Sequence, residues 1–247
     1  MDNRTDPRPT GFGYAGTLEA GRSDVAFDQG LRSYMLSVYN YMTSGVLLTG
    51  IVAMLFANSA FGQNILVNGG ALRWVIMLAP LAFVMVMSFG MNRLSTVALQ
   101  ALFWAFATVM GLSMASIFLV YTGASIAQTF FATAAAFAGL SLFGYTTKKD
   151  LSGWGTFLIM GVVGLLVAML LNAFVFQSGT MTLAISAIGV LIFAGLTAYD
   201  TQKIKSVYAH VAGTEMMGKV VIMGALNLYL DFVNMFTFLL SFMGGRD

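Results

Sequence analysis

The chain contains no cysteine, and that single absence removes disulfides, thiolate metal sites and a cysteine nucleophile together. With one histidine, His210, zinc held by imidazoles is also disfavoured. Charge is scarce as well: 9% of the 247 residues are Asp, Glu, Lys or Arg, against roughly a quarter in a soluble domain. Net charge is +2 and the basic residues are scattered, so the clustered footprint of a nucleic-acid binder is missing. No internal repeat is clear enough to mark two inverted halves, which argues against a secondary transporter.

What the chain has in abundance is apolar surface. Apolar residues make up 58% of it, so most of the protein faces lipid rather than water. Hydropathy windows of about nineteen residues predict spans near Tyr34 to Ala57, Trp74 to Gly90, Val97 to Val120, Ile126 to Tyr145, Trp154 to Phe176, Met181 to Tyr199 and Val220 to Met243. Backbone groups in hydrocarbon must be satisfied within each span, and continuous apolarity excludes a β-barrel. The expected fold is therefore an all-α integral membrane protein, a bundle of seven transmembrane helices. Gln177-Ser178-Gly179-Thr180 is too short for anything but a tight turn between the fifth and sixth spans. Small residues such as Ala132, Ala135, Ala136, Gly139, Gly161 and Gly164 are expected to let helices pack closely. Pro80 is expected to kink the second span, and Trp74 and Trp154 read as interfacial belt residues.

Residues 1–33 form a polar tail with Pro7, Pro9, four arginines and five acids, followed by the transmembrane domain at 34–243 and a short C-terminal tail at 244–247. The tail lacks the order of a cleavable signal, so the first helix is expected to direct its own insertion. Orientation follows from Lys and Arg. With the N-terminus cytoplasmic and the C-terminus outside, ten basic residues lie inside and only Arg73 and Arg246 outside, the bias of the positive-inside rule.

Asp231 is the residue that most needs an explanation. It sits near the middle of the last span, with no Lys or Arg within a turn, where a charge costs roughly 3 kcal/mol or more unless paired, hydrated or protonated. Asn227, Asp231, Asn234 and Ser241 follow at steps of four, three and seven, and Gly224 extends the line, so they form one polar stripe. A polar stripe must face other helices or water, which makes the last helix central rather than peripheral. Asp200 ends the sixth span in Tyr199-Asp200-Thr201-Gln202-Lys203 and reads either as a boundary residue paired with Lys203 or as a second functional carboxyl. Two carboxylates a few ångströms apart in a dry site cannot both ionise cheaply, so they share a proton. Carboxylates are also ligands for a hard cation such as Ca²⁺. Arg93, at the cytoplasmic end of the second span, reads as a headgroup anchor or as the cationic partner of this pair. His210 is expected in an exposed loop.

The stretches Tyr199-Asp200-Thr201-Gln202 and Leu228-Tyr229-Leu230-Asp231-Phe232-Val233-Asn234-Met235-Phe236, with the loop Gly144-Tyr145-Thr146-Thr147-Lys148-Lys149-Asp150-Leu151-Ser152-Gly153, resemble the signature segments of the Bax inhibitor 1 family, bacterial branch. The resemblance runs from about Tyr34 to Met243. It implies a seven-helix bundle with the last helix in the centre, and a pH-sensitive calcium leak in a bacterial inner membrane. It also implies a hydrogen-bonded aspartyl pair near the cytoplasmic end of the path. Asp200 takes the sixth-helix position of that pair and Asp231 the seventh-helix position. Arg93 matches a second-helix arginine that interacts with the pair, and Asn227 and Asn234 fall on the polar stripe beside it. The permeant species would be Ca²⁺ and protons, Asp200 and Asp231 the contacts for Ca²⁺, and the bilayer the only constant partner, with no resident cofactor. An alternative that the resemblance also implies is an interaction protein modulating a membrane-anchored ATP-dependent protease. An intramembrane aspartyl protease shares the Tyr199-Asp200 pair, but its second motif, Gly-x-Gly-Asp, is replaced here by Leu228-Tyr229-Leu230-Asp231. The chain is accordingly not expected to be an enzyme.

Overall fold

The computed structural model describes residues 14–245, with side chains from residue 27 onward. Nine α-helices and no β-strand occupy the described residues: α1 (Tyr14–Asn58), α2 (Ala60–Asn68), α3 (Gly70–Gly90), α4 (Thr96–Met114), α5 (Ile117–Val120), α6 (Gly123–Thr146), α7 (Ser152–Leu171), α8 (Gly179–Val211) and α9 (Met216–Met243). Seven helical stretches among them are long and apolar enough to cross a membrane, built on α1, α3, α4 with α5, α6, α7, α8 and α9. Each contains or closely overlaps one predicted span.

Helix starts follow from local chemistry. Ser59, Ser95, Thr122 and Ser178 stand just before α2, α4, α6 and α8, and each hydroxyl oxygen accepts a first-turn backbone N–H. Those N–H groups have no partner within the helix, and a Ser or Thr cap satisfies one of them. At the α7–α8 turn, a π-helical turn over Asn172–Phe176 leads to Gln177 in the left-handed region at φ 47°. Asn172 staples the turn, donating to the Ser178 carbonyl and to Thr182 Oγ1 while accepting from the Ser178 N–H.

The last helix is the hub. In α9, 67% of the most apolar stretch is buried, against 11% to 39% in the other six spans. Helices α1, α4, α6 and α8 pack around it, while α3 leans on α4 and α7 on α8 at the periphery. Tyr229 of α9 is fully buried between the rings of Phe103 and Phe106 from α4. Its hydroxyl lies 2.6 Å from Thr49 Oγ1 of α1, and Thr49 donates at 2.8 Å to the Ala107 carbonyl of α4. The one Thr49 proton is thus engaged, so Tyr229 is the donor in the first contact.

Three expectations change. Helix α8 continues twelve residues past Tyr199, to a length of about 50 Å, because Ile204 and Tyr208 keep the apolar face going. Tyr208 packs against the rings of Tyr34 and Phe27, and Tyr34 donates to the Ile204 carbonyl. His210 is exposed, as expected, but in the last turn of this helix rather than in a loop. The boundary at residue 33 is no structural break: α1 starts at Tyr14, and Leu31 joins the core. Residues 1–13 of the predicted tail, and Arg246 with Asp247, lie outside the described residues. Finally, Ala132, Ala135, Ala136, Gly139 and Gly164 are exposed on the outer surface of α6 and α7. The glycines that admit close neighbours are others. Gly45 meets Phe103, Gly111 meets Val52, Gly189 meets Phe238, and of those predicted only Gly161, against Ile192, packs.

The C-terminal segment closes on the start of α6: the Gly245 N–H donates to Ser125 Oγ at 2.7 Å, and the Thr122 N–H to the Gly245 carbonyl. On the opposite face lie the α6–α7 loop, the end of α8 and Arg32 of α1, together with Arg93, Lys148, Lys149, Lys203, Lys205 and Lys219. We call this the basic face.

Candidate functional site

The contacts between α8 and α9 fix their antiparallel register. Gly224 sits against Ile204, Gly189 against Phe238, and the Ser186 and Ser241 hydroxyls are 3.1 Å apart. At that constant offset Asp200 is level with Asn227 and Leu228, and Asp231 with Leu196 and Thr197. The two aspartates are therefore staggered by about one helical turn, ~5 Å along the axes. Asp231 is buried, at 4% exposure. Its Oδ2 atom has no hydrogen-bond partner, the one buried side-chain polar atom so placed among the described residues. A buried acceptor without a donor is costly and calls for a group that satisfies it.

Asp200 is half-buried. Lys203 stands one turn on, but the two form no ion pair among the described residues. The Lys203 ammonium instead lies 5.8 Å from the Tyr199 ring centroid. Asn234 turns its amide back to the Leu230 carbonyl of its own helix, and Asn227 stands half-buried at the level of Asp200. Of these three α9 residues Asp231 is buried and the two asparagines are half-buried. Arg93 does not join them. It lies in the turn after α3, exposed, with no ion pair among the described residues, because α3 packs on α4 and not on α8 or α9. No group of three or more His, Asp or Glu side chains that could hold a metal ion assembles among the described residues. Calcium takes six to eight oxygen ligands, so two carboxylates would need carbonyls and water beside them.

Around Asp200 a set of contacts ties three helices together. Gln202 clamps the α6–α7 loop from both sides: its Oε1 accepts the Leu151 N–H at 2.8 Å, and its Nε2 donates to the Lys149 carbonyl at 2.8 Å. Thr201 donates to Ser141 of α6, and Lys205 donates to the Tyr145 carbonyl at 2.7 Å with its ammonium 4.7 Å from that ring's centroid. A Cβ on Gly144 would strike the Ala198 carbonyl, and one on Gly155 the Tyr199 ring, so both positions need glycine for α6 and α7 to reach α8. A polar groove of about 300 Å³ opens between the loop and α8, lined by Lys148, Lys149, Asp150, Tyr199, Gln202 and Lys203. There the Ser152 hydrogen bonds hold the exposed Asp150 carboxyl below the usual carboxylate range.

The family model described as "Inhibitor of apoptosis-promoting Bax1" matches residues 31–247. The chain belongs to the Bax inhibitor family. Bacterial members resemble it over nearly their whole length. An uncharacterized protein of Caulobacter vibrioides is 44% identical over 243 residues, covering 95% of this chain and 97% of that protein. The inner membrane protein YbhL of Escherichia coli K12 is 45% identical over 219 residues, or 88% and 93%. A Deinococcus radiodurans protein is 41% identical over 217 residues, or 88% and 92%. With its seven apolar helices, this Bax inhibitor family member is an integral membrane protein.

The three stretches that resemble the family are one structural unit: the loop after Gly144, Tyr199 to Gln202, and the segment round Asp231 meet at α8. Gln202 lies within one of these stretches, and its clamp on the α6–α7 loop emerges only in the fold. Its signal was a polar amide beside a loop rich in unpaired backbone groups. Thr49 and Tyr229 were missed because nothing local links residues 180 positions apart.

Proposed function

We propose that this protein is a proton-controlled leak pathway for Ca²⁺ across the bacterial inner membrane, gated by Asp200 and Asp231. The reading rests on one observation above all: a buried carboxylate oxygen of Asp231 without a donor, about one helical turn from a second carboxyl on the neighbouring helix. A proton held between the two carboxyls supplies the missing partner, and like charges so close in a dry site oppose double ionisation. With that proton in place the two carboxyls are tied to each other and carry one negative charge between them, which closes the path. When it leaves, two acceptor-rich groups face the path in a form that attracts a hard divalent cation. Lys148, Lys149 and Lys203 oppose cation entry from the basic face, so ionisation of the pair is the event that opens the route. The N-terminus and the basic face are cytoplasmic in this reading, which the distribution of Lys and Arg supports. The protein catalyses no reaction and holds no resident metal; Ca²⁺ is its cargo.

Proteoliposomes loaded with a calcium dye test the proposal. Asp200→Asn and Asp231→Asn should each change calcium entry or remove its dependence on pH. Wild-type flux and pH response in both variants would contradict it.

A further inference from the structure

Helices α1 and α6 both pack on α9 but not closely on each other. The gap between them is a groove in the lipid-facing wall. One cavity of about 710 Å³ lies toward the basic face and another of about 400 Å³ lies beyond it. The two share Val46, Phe130 and Phe232, so the groove is continuous. Its floor is α9 itself, through Phe232, Val233 and Phe236.

Chemistry changes along the groove in a definite order. Arg32 stands at its mouth on the basic face, exposed and without an ion pair among the described residues. The acid nearest along the helix is Asp28, one turn earlier, also exposed. Tyr145 lines the same end and carries the Lys205 ammonium over its ring. Below Arg32 the hydroxyls of Tyr39, Thr43 and Ser141 alternate with Met35, Leu36, Met42 and Leu142, and beyond Thr43 and Ser141 the lining is Val, Leu, Ala and Phe alone. The larger cavity follows α1 from Arg32 to Leu47, about 22 Å of helix, which matches one leaflet with its headgroup layer at roughly 20 Å.

We infer that the groove between α1 and α6 holds an anionic phospholipid, its phosphate at Arg32 and an acyl chain lying along Met42, Phe137 and Phe232. Cation, hydroxyl and hydrocarbon follow one another as phosphate, glycerol and acyl chain do. Phe232 adjoins Asp231 in the chain, so the bound chain rests on the helix that carries the buried carboxyl. The inference does not depend on how that carboxyl functions.

The full chain, reconstituted in vesicles of equal phosphatidylglycerol and phosphatidylethanolamine and released into mild detergent, is examined by native mass spectrometry. The wild type should retain one phospholipid, with phosphatidylglycerol preferred by about fivefold, the factor one basic residue contributes at an anionic surface. Arg32→Gln, at an exposed position, should keep the lipid and lose the preference. Ala138→Trp, exposed in the groove wall, should fill the groove and lose the lipid. Retention in Ala138→Trp equal to wild type, or an unchanged preference in Arg32→Gln, would overturn the inference. Ala138→Cys, which puts the one thiol into this cysteine-free chain, adds a check independent of those variants. Efficient disulfide dimers through it would assign the groove to a second copy instead.

Discussion

Tyr229 donates its hydroxyl proton to Thr49 across 2.6 Å, joining α9 to α1 at the buried centre of the bundle. The bond is asymmetric in its consequences. Tyr229→Phe leaves Thr49 still donating to Ala107, and should cost about 1 kcal/mol. Thr49→Val strands a buried Tyr229 hydroxyl and should cost more, about 1–3 kcal/mol. Unfolding in detergent by denaturant measures both, and a Thr49→Val variant more stable than Tyr229→Phe would contradict the assigned donor.

Glycines of this chain separate into those that touch and those that do not. Gly144→Ala and Gly155→Ala force α6 and α7 away from α8 and should destabilise by about 1–3 kcal/mol, the usual cost of overpacking. Gly139→Ala and Gly164→Ala meet nothing and should be neutral, or stabilising by about 0.5–1 kcal/mol through helix propensity. Thermal melts of the four variants decide the matter, and equal effects in both pairs would refute this packing.

The Gln202 clamp predicts a local effect. Gln202→Leu removes both bonds to the α6–α7 loop, so the Leu151 amide should exchange with solvent many times faster while α9 amides stay protected. Unchanged protection at Leu151 would mean the loop is held by something else.

Asp150 gives a pH dependence with a definite sign. Hydrogen bonds from the Ser152 side chain and from its backbone N–H, the latter at 2.8 Å, depress the pKa of its carboxyl in the folded protein. Support for the start of α7 is therefore present above the ordinary carboxylate value and fades as pH falls through the depressed one. Hydrogen exchange at Ser152 should accelerate on acidification relative to neighbouring amides, and Asp150→Ala should show the fast rate throughout. A Ser152 amide insensitive to both would remove the bond from the account.

The span pattern and the central place of α9 could be read from sequence because lipid leaves the backbone one solution, and because a polar stripe on an apolar helix must face inward. Asp231 announced itself in the same way. What could not be read depends on distance in space. Arg93 looked like a partner by its depth, yet α3 lies on the far side of α4. Asp200 looked like the end of a helix because hydropathy falls after Tyr199, yet Ile204 and Tyr208 carry α8 onward. The small residues of α6 have helix-packing spacing, but spacing does not reveal which face meets a neighbour.

The claim on which the functional reading rests is that Asp200 and Asp231 act as one unit. Calcium entry into dye-loaded proteoliposomes, followed across pH for wild type, Asp200→Asn, Asp231→Asn and the double variant, measures that coupling. Two carboxyls holding one proton predict a flux that rises with pH in the wild type and loses that dependence in either single variant, with the double variant no different from the singles. Two separable pH responses that simply add in the double variant would contradict it.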